Sequence, residues 1–200
     1  MAKILYIHGF MSSPNSGTIK NLRQRFGRAD EIFTPEVDGD PDRSLTIINE
    51  MIERKHPRII VGSSLGGFYA LACNSGNAFV YSINPVTNPT EEMKHFLNQR
   101  LPYLQKRIDK ATHYTLTDET LTKFAKYNVE EIIRSKEGKV YGLLSDRDEL
   151  LGDSHIQLFT KIFGYPSPFV TITDLFGHRI GGDKQSLNLI YNEIDQILQP

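Results

Sequence analysis

The chain has 200 residues, with 23 basic against 24 acidic side chains. That length suits one ordinary domain with its own core, and the near-balanced charge excludes both the basic footprint of a nucleic-acid binder and a membrane-surface patch. A single cysteine, Cys73, excludes an internal disulfide framework, and no apolar run approaches the roughly 20 residues of a spanning helix. The N-terminal "MAKILYIHGF" is apolar over only about five residues before His8-Gly9, which reads as a first strand rather than a leader. A cytoplasmic protein is expected.

Along the chain, short apolar runs alternate with amphipathic stretches. Strands are predicted at 3–7, 31–37, 58–62, 78–83, 139–144 and 169–175. Most are continuous in apolar residues, as strands covered on both faces of a parallel sheet must be. Ile19, Leu22 and Phe26, then Leu45, Ile48 and Ile52, then Leu187, Ile190, Ile194 and Ile197 mark helical stripes. Ser13-Pro14 and Asp40-Pro41 each set a capping side chain before a proline suited to a first helical turn. The alternation argues a three-layer α/β/α sandwich with a mostly parallel sheet.

Residues 86–138 break the rhythm and read as an insertion or cap within the single domain 1–200. Two helical stretches, 90–107 and 117–135, are predicted around "DKATHYTL". Exposed aromatics there (among Phe96, Tyr103, Tyr114, Phe124 and Tyr127) would offer a homodimer face, so the chain is expected as a monomer or homodimer.

The stretch "RIIVGSSLGGFYALAC" carries the chemistry. Gly62-Ser63-Ser64-Leu65-Gly66 fits G-x-S-x-G, a sharp strand-to-helix turn that lifts its central serine above the sheet. A random chain of this length contains the pattern with a probability of roughly 0.07; the preceding apolar run and following helical pattern make it specific. The strained turn needs small residues two before and two after the serine, which accounts for Gly62 and Gly66, and Gly67 adds room for helix–sheet packing. Ser64 is the predicted nucleophile, and Ser63 points elsewhere. A phosphate cradle is the poorer reading, because the G-x-x-x-x-G-K-[ST] lysine is missing.

A nucleophilic serine needs a base, an orienting acid and an oxyanion hole. The expected chain order is serine, acid, histidine, each on a loop after a strand. His178 follows the last strand and is the predicted base. Asp148, after the 139–144 strand, is the predicted acid; Asp146, Glu149 and Asp153 remain alternatives. His155, in a predicted helix, is expected at the surface. The oxyanion donors are the N–H of Leu65 and that of Phe10, with Met11 as substitute, and His8 is expected to hold the first loop by a hydrogen bond. No spacing of His, Cys or carboxylates suits a metal, His95 and His113 stand alone, and no cofactor is expected.

Taken together, "LYIHGFMSSPNS" (5–16), "VGSSLGGFYA" (61–70), "INPVTNP" (83–89) and "DEL" (148–150) before a late Gly-His resemble the α/β-hydrolase superfamily, and within it the small YqiA-like esterases. The resemblance covers the first 90 residues well and the remainder only at its catalytic positions. It implies a serine hydrolase of small esters or thioesters, with Ser64, Asp148 and His178 matching the triad. The family pattern sets a glycine before the acid and an asparagine before the histidine; here Arg147 and Gly177 stand there. The same apparatus serves amide and C–C hydrolases, and a non-catalytic binding or scaffold protein on this fold is the alternative from another class.

Overall fold

The computed structural model describes residues 3–26, 32–136, 138–180 and 182–199. β1 (Ile4–Ile7), β3 (Ile59–Ser63), β4 (Phe79–Ile83), β7 (Val140–Ser145) and β8 (Val170–Thr173) fall on predicted strands, shifted or trimmed at their ends. β2 is only Ile32–Phe33, far shorter than the 31–37 expected, and Glu31 lies outside the described residues. Pro35 has no N–H to offer a ladder, and the Val37 N–H bonds the His8 ring instead of a strand. The sheet runs β2-β1-β3-β4-β7-β8 with every pairing parallel.

Two layers of helix explain the continuous apolar runs. On β1, Leu5 and Ile7 face a core shared with α2 (Pro41–Lys55), α3 (Leu65–Ala72), α6 (Val129–Ser135) and α7 (Ser154–Phe163). Ile4 and Tyr6 face the opposite core, built on α1 (Gly17–Phe26) and α8 (Lys184–Leu198). Both sets are buried, so alternation vanishes from the strand while the sheet keeps two faces. The stripes predicted on α1, α2 and α8 point into these cores.

Capping signals succeed or fail for local reasons. Asp40 accepts from the N–H groups of Asp42 and Arg43 at the start of α2. Ser13 instead accepts the Asn15 N–H at 3.1 Å within a turn, so α1 starts at Gly17, three residues after Pro14.

The 86–138 segment departs most from expectation. The predicted 90–107 helix is a single turn, α4 (Pro89–Glu92), followed by a 3-10 turn and then β5 (Arg100–Pro102). β5 pairs antiparallel with β6 (His113–Thr115). Pro102 removes a helical N–H and excludes a helix across it, while Asn98, at φ 58°, turns the chain into the hairpin. The second stretch divides into α5 (Asp118–Lys123), a 3-10 turn and α6.

Long-range contacts hold the hairpin over the loop after β1. The Leu104 N–H donates to Met11 O at 2.9 Å, and Tyr114 meets the Phe10 ring edge-on at 5.8 Å. Arg107 is buried, stacks on Tyr103, pairs with Asp109 at 2.8 Å and donates to Val37 O at 2.9 Å. The aromatics expected to form an exposed face pack inward instead: Phe124 and Tyr127 meet Phe68, and Phe96 meets Phe10.

Candidate active site

Parallel pairing puts the C-terminal ends of β1, β3, β4, β7 and β8 on one edge of the sheet. The chain reverses its direction of growth between β1 and β3, where an open α/β sheet leaves a crevice for ligands. Ser64 stands there, at φ 58° and ψ −126°. This is close to the mirror image of extended backbone, forbidden to most L-residues and held only by surrounding contacts.

The glycines show what holds it. A Cβ on Gly62 would run into the backbone of Gly66, and one on Gly66 into the carbonyl oxygens of Ile7 and His8. A Cβ on Gly67 would lie 2.9 Å from Ser82 Oγ and 3.0 Å from Pro85 Cα. β3, α3 and the end of β1 therefore approach closer than any side chain permits. Ser63 turns away and shares a 2.9 Å hydrogen bond with the Tyr6 hydroxyl.

Three predicted residues from three loops meet at hydrogen-bond distance. His178 Nε2 lies 2.8 Å from Ser64 Oγ, and its Nδ1 lies 2.9 Å from Asp148 Oδ2 and 3.1 Å from Oδ1. Asp148 is buried, and Oδ1 also accepts the N–H groups of Leu150 and Leu151 at 2.9 and 2.8 Å. Burial raises the Asp148 pKa, but the His178 hydrogen bond and these amides outweigh it and hold the carboxyl below its usual range. Asp146 is exposed, and Asp153 sits at the start of α7 bonded to Gln157. Glu149 does not touch the imidazole; its Oε2 accepts the His178 backbone N–H at 2.8 Å.

Leu65 is the first residue of α3, so its N–H has no partner within the helix. The Phe10 N–H has no backbone partner among the described residues. Gly9, the residue before it, lies against Ser64: a Cβ there would be 3.2 Å from Ser64 Cβ. Met11 takes a positive φ of 61°.

His8 is buried, with Nδ1 3.0 Å from Gly9 O and Nε2 accepting from the Val37 N–H at 3.4 Å. It thus ties the first loop down as a neutral ring. Burial lowers its pKa from 6.5 to about 4, with the Arg107 charge adding to the shift and the Gly9 hydrogen bond opposing it. Between those values the unfolded chain binds a proton that the folded protein rejects, so stability falls as pH drops through that window. Urea unfolding between pH 7 and pH 4 is expected to show a loss of about 3 kcal/mol from this group, absent in His8→Gln. An equal loss in the variant would assign it elsewhere.

Two residues were missed in sequence. His155 is not at the surface: it is wholly buried in α7, and neither ring nitrogen has a hydrogen-bond partner among the described residues. Burial lowers its pKa, with Asp148 and Glu92 close enough to oppose the shift. Asn84, after β4, is buried at φ 40°. Its Oδ1 accepts the Ser145 N–H at 2.7 Å, and its Nδ2 donates to Gly177 O at 2.9 Å and His178 O at 3.3 Å. Asn84 therefore joins the strand that carries the acid to the loop that carries the histidine. "INPVTNP" was its only sequence signal.

A cavity of about 540 Å³ opens over Ser64, walled by Phe10, Val86, Met93, Phe96, Leu101 and Leu104. Ser16, Thr18 and Asn21, at the start of α1 and just before it, also line the cavity. Leu104 and Leu150 stand half-exposed at its margin. Among the described residues, no three metal-ligating side chains converge, and no helix is long and apolar enough to cross a membrane.

Several solved structures share this architecture. Mouse alpha/beta hydrolase domain-containing protein 10 aligns over 98% of this chain and 88% of its own at 16% identity, with a TM-score of 0.64. The esterase domain of a Rhodothermus marinus protein aligns over 96% and 84% at 16% identity, with a TM-score of 0.68. Est1E from Butyrivibrio proteoclasticus aligns over 98% and 86% at 15% identity, with a TM-score of 0.62. These likenesses establish the α/β-hydrolase fold. Residues 3–160 match the uncharacterised protein family UPF0227. The chain belongs to that family, and its fold is that of the α/β-hydrolases.

Proposed function

We propose that the chain is a serine hydrolase that cleaves a small carboxylic ester or thioester through an acyl-enzyme. The observation that carries this reading is the continuous line from Ser64 Oγ through the His178 ring to the buried Asp148 carboxylate. One of the similar structures is an esterase domain, which agrees with an ester as substrate class.

In this reading Ser64 Oγ attacks the substrate carbonyl carbon as its proton passes to His178 Nε2. Asp148, kept ionised by its hydrogen bonds, fixes the tautomer with Nδ1 protonated and stabilises the imidazolium that forms. The N–H groups of Phe10 and Leu65 receive the oxyanion, the latter with the partial positive charge of the α3 N-terminus behind it. The tetrahedral intermediate collapses, and His178 returns the proton to the departing alcohol or thiol. Water, activated by the same histidine, then releases the acid and frees Ser64. Val86, Met93, Phe96, Leu101 and Leu104, from the part of the 86–138 segment that precedes α5, form the apolar wall that selects the acyl group, and no cofactor takes part.

Pre-steady-state hydrolysis of p-nitrophenyl butyrate and hexanoate tests the reading. A burst of p-nitrophenol stoichiometric with protein, followed by slower turnover, is the expected result. No turnover of either ester or of the corresponding thioesters by the folded protein would overturn it.

A further inference from the structure

We infer that Glu149 is a positioning residue for His178, holding its backbone while Asp148 holds its ring; the inference rests on the proposed hydrolase reading. Consecutive carboxylates of one loop take one residue at two points, Glu149 Oε2 at the His178 N–H and Asp148 Oδ2 at Nδ1, 2.8 and 2.9 Å away. Asn84 takes the same loop from its other side, through the carbonyls of Gly177 and His178. Ring and peptide are thereby fixed together, and a base with both fixed keeps Nε2 on the serine oxygen without a search among loop conformers.

Gly177 belongs to this arrangement. A Cβ there would run into Glu149 Oε2, and the next heavy atom it would meet is Arg147 O at 3.2 Å. The glycine leaves the space that the carboxylate occupies. That carboxylate is the far end of a flexible side chain on an exposed residue, so a methyl group at 177 would displace it without disturbing the core. The hydrogen bond would be lost and the fold kept. The His178 N–H also holds the Glu149 carboxyl below its usual range, so the acceptor is ionised across the neutral pH range.

The test combines Glu149→Ala, Glu149→Gln, Gly177→Ala and the double variant Glu149→Ala/Gly177→Ala, assayed for ester turnover and for amide hydrogen exchange at His178. Glu149→Ala is expected to lower kcat by roughly ten- to a hundredfold with KM little changed, and to speed exchange at His178. Glu149→Gln, whose amide oxygen still accepts the N–H, restores most of kcat. Gly177→Ala reproduces the Glu149→Ala loss, and the two losses do not add, because the second change removes a bond already broken. Wild-type kcat in Glu149→Ala, or full additivity, would overturn the inference while Ser64-dependent turnover left the hydrolase reading standing. Absence of Ser64-dependent turnover in the wild type would overturn that reading and this inference with it.

Discussion

Ser64→Ala is expected to abolish ester turnover, by a factor of the order of 10^6 in kcat, as removal of a nucleophile acting within a triad does. Ser63→Ala should retain most of it. The two serines are adjacent in sequence but separated in function by the turn: Ser64 Oγ lies 2.8 Å from His178 Nε2, whereas Ser63 Oγ is held by the Tyr6 hydroxyl. Steady-state kinetics on both variants checks this directly, and equal losses would mean that the elbow presents the wrong hydroxyl. A third variant separates activity from stability. At φ 58° and ψ −126° the backbone of Ser64 is strained for any residue with a Cβ and comfortable for glycine. Ser64→Gly should therefore be inactive yet more stable by about 1 kcal/mol.

The second large effect falls on folding. Gly66→Ala drives a methyl group into the carbonyl oxygens of Ile7 and His8. Both are backbone atoms of a fully packed strand end, so no rotamer change removes the clash, and β1 and α3 must separate. A destabilisation of about 3 kcal/mol or more is expected, a large part of the 5–15 kcal/mol typical of a domain. Gly17→Ala is the control, because nothing lies within 4 Å of its added Cβ and alanine favours the helix it begins. Urea unfolding of the pair should show a large loss in one and none in the other. Wild-type stability in Gly66→Ala would mean that strand and helix are not in contact there.

What was legible in the sequence was local or periodic. β1, β3 and β4 announced themselves as apolar runs because both sheet faces are covered, and the elbow because its glycines and serine lie within five consecutive positions, 62–66. His178 and Asp148 could be picked because each follows a strand directly, and parallel pairing brings such loops to one edge. The features that were hidden depend on distant partners. The β5–β6 hairpin stands on Leu104 meeting Met11 and Arg107 meeting Val37, contacts that no periodicity encodes. His155 lies four residues before Phe159 and seven before Ile162, on the face α7 turns to the core, and its polar ring disguised a position that helical spacing marks as buried. Asn84 finds its partners at Ser145 and Gly177, far along the chain. Glu149 was visible only as an alternative acid, since its bond goes to a backbone N–H rather than to a side chain.

The central claim is that Ser64 is a nucleophile activated by His178. Exposure of the purified protein to a fluorescent fluorophosphonate, followed by mapping of the labelled peptide, tests it most directly. Labelling is expected at Ser64 alone, lost in Ser64→Ala and slowed by orders of magnitude in His178→Ala. Labelling at another residue, or at Ser64 with the same rate when His178 is gone, would contradict the account.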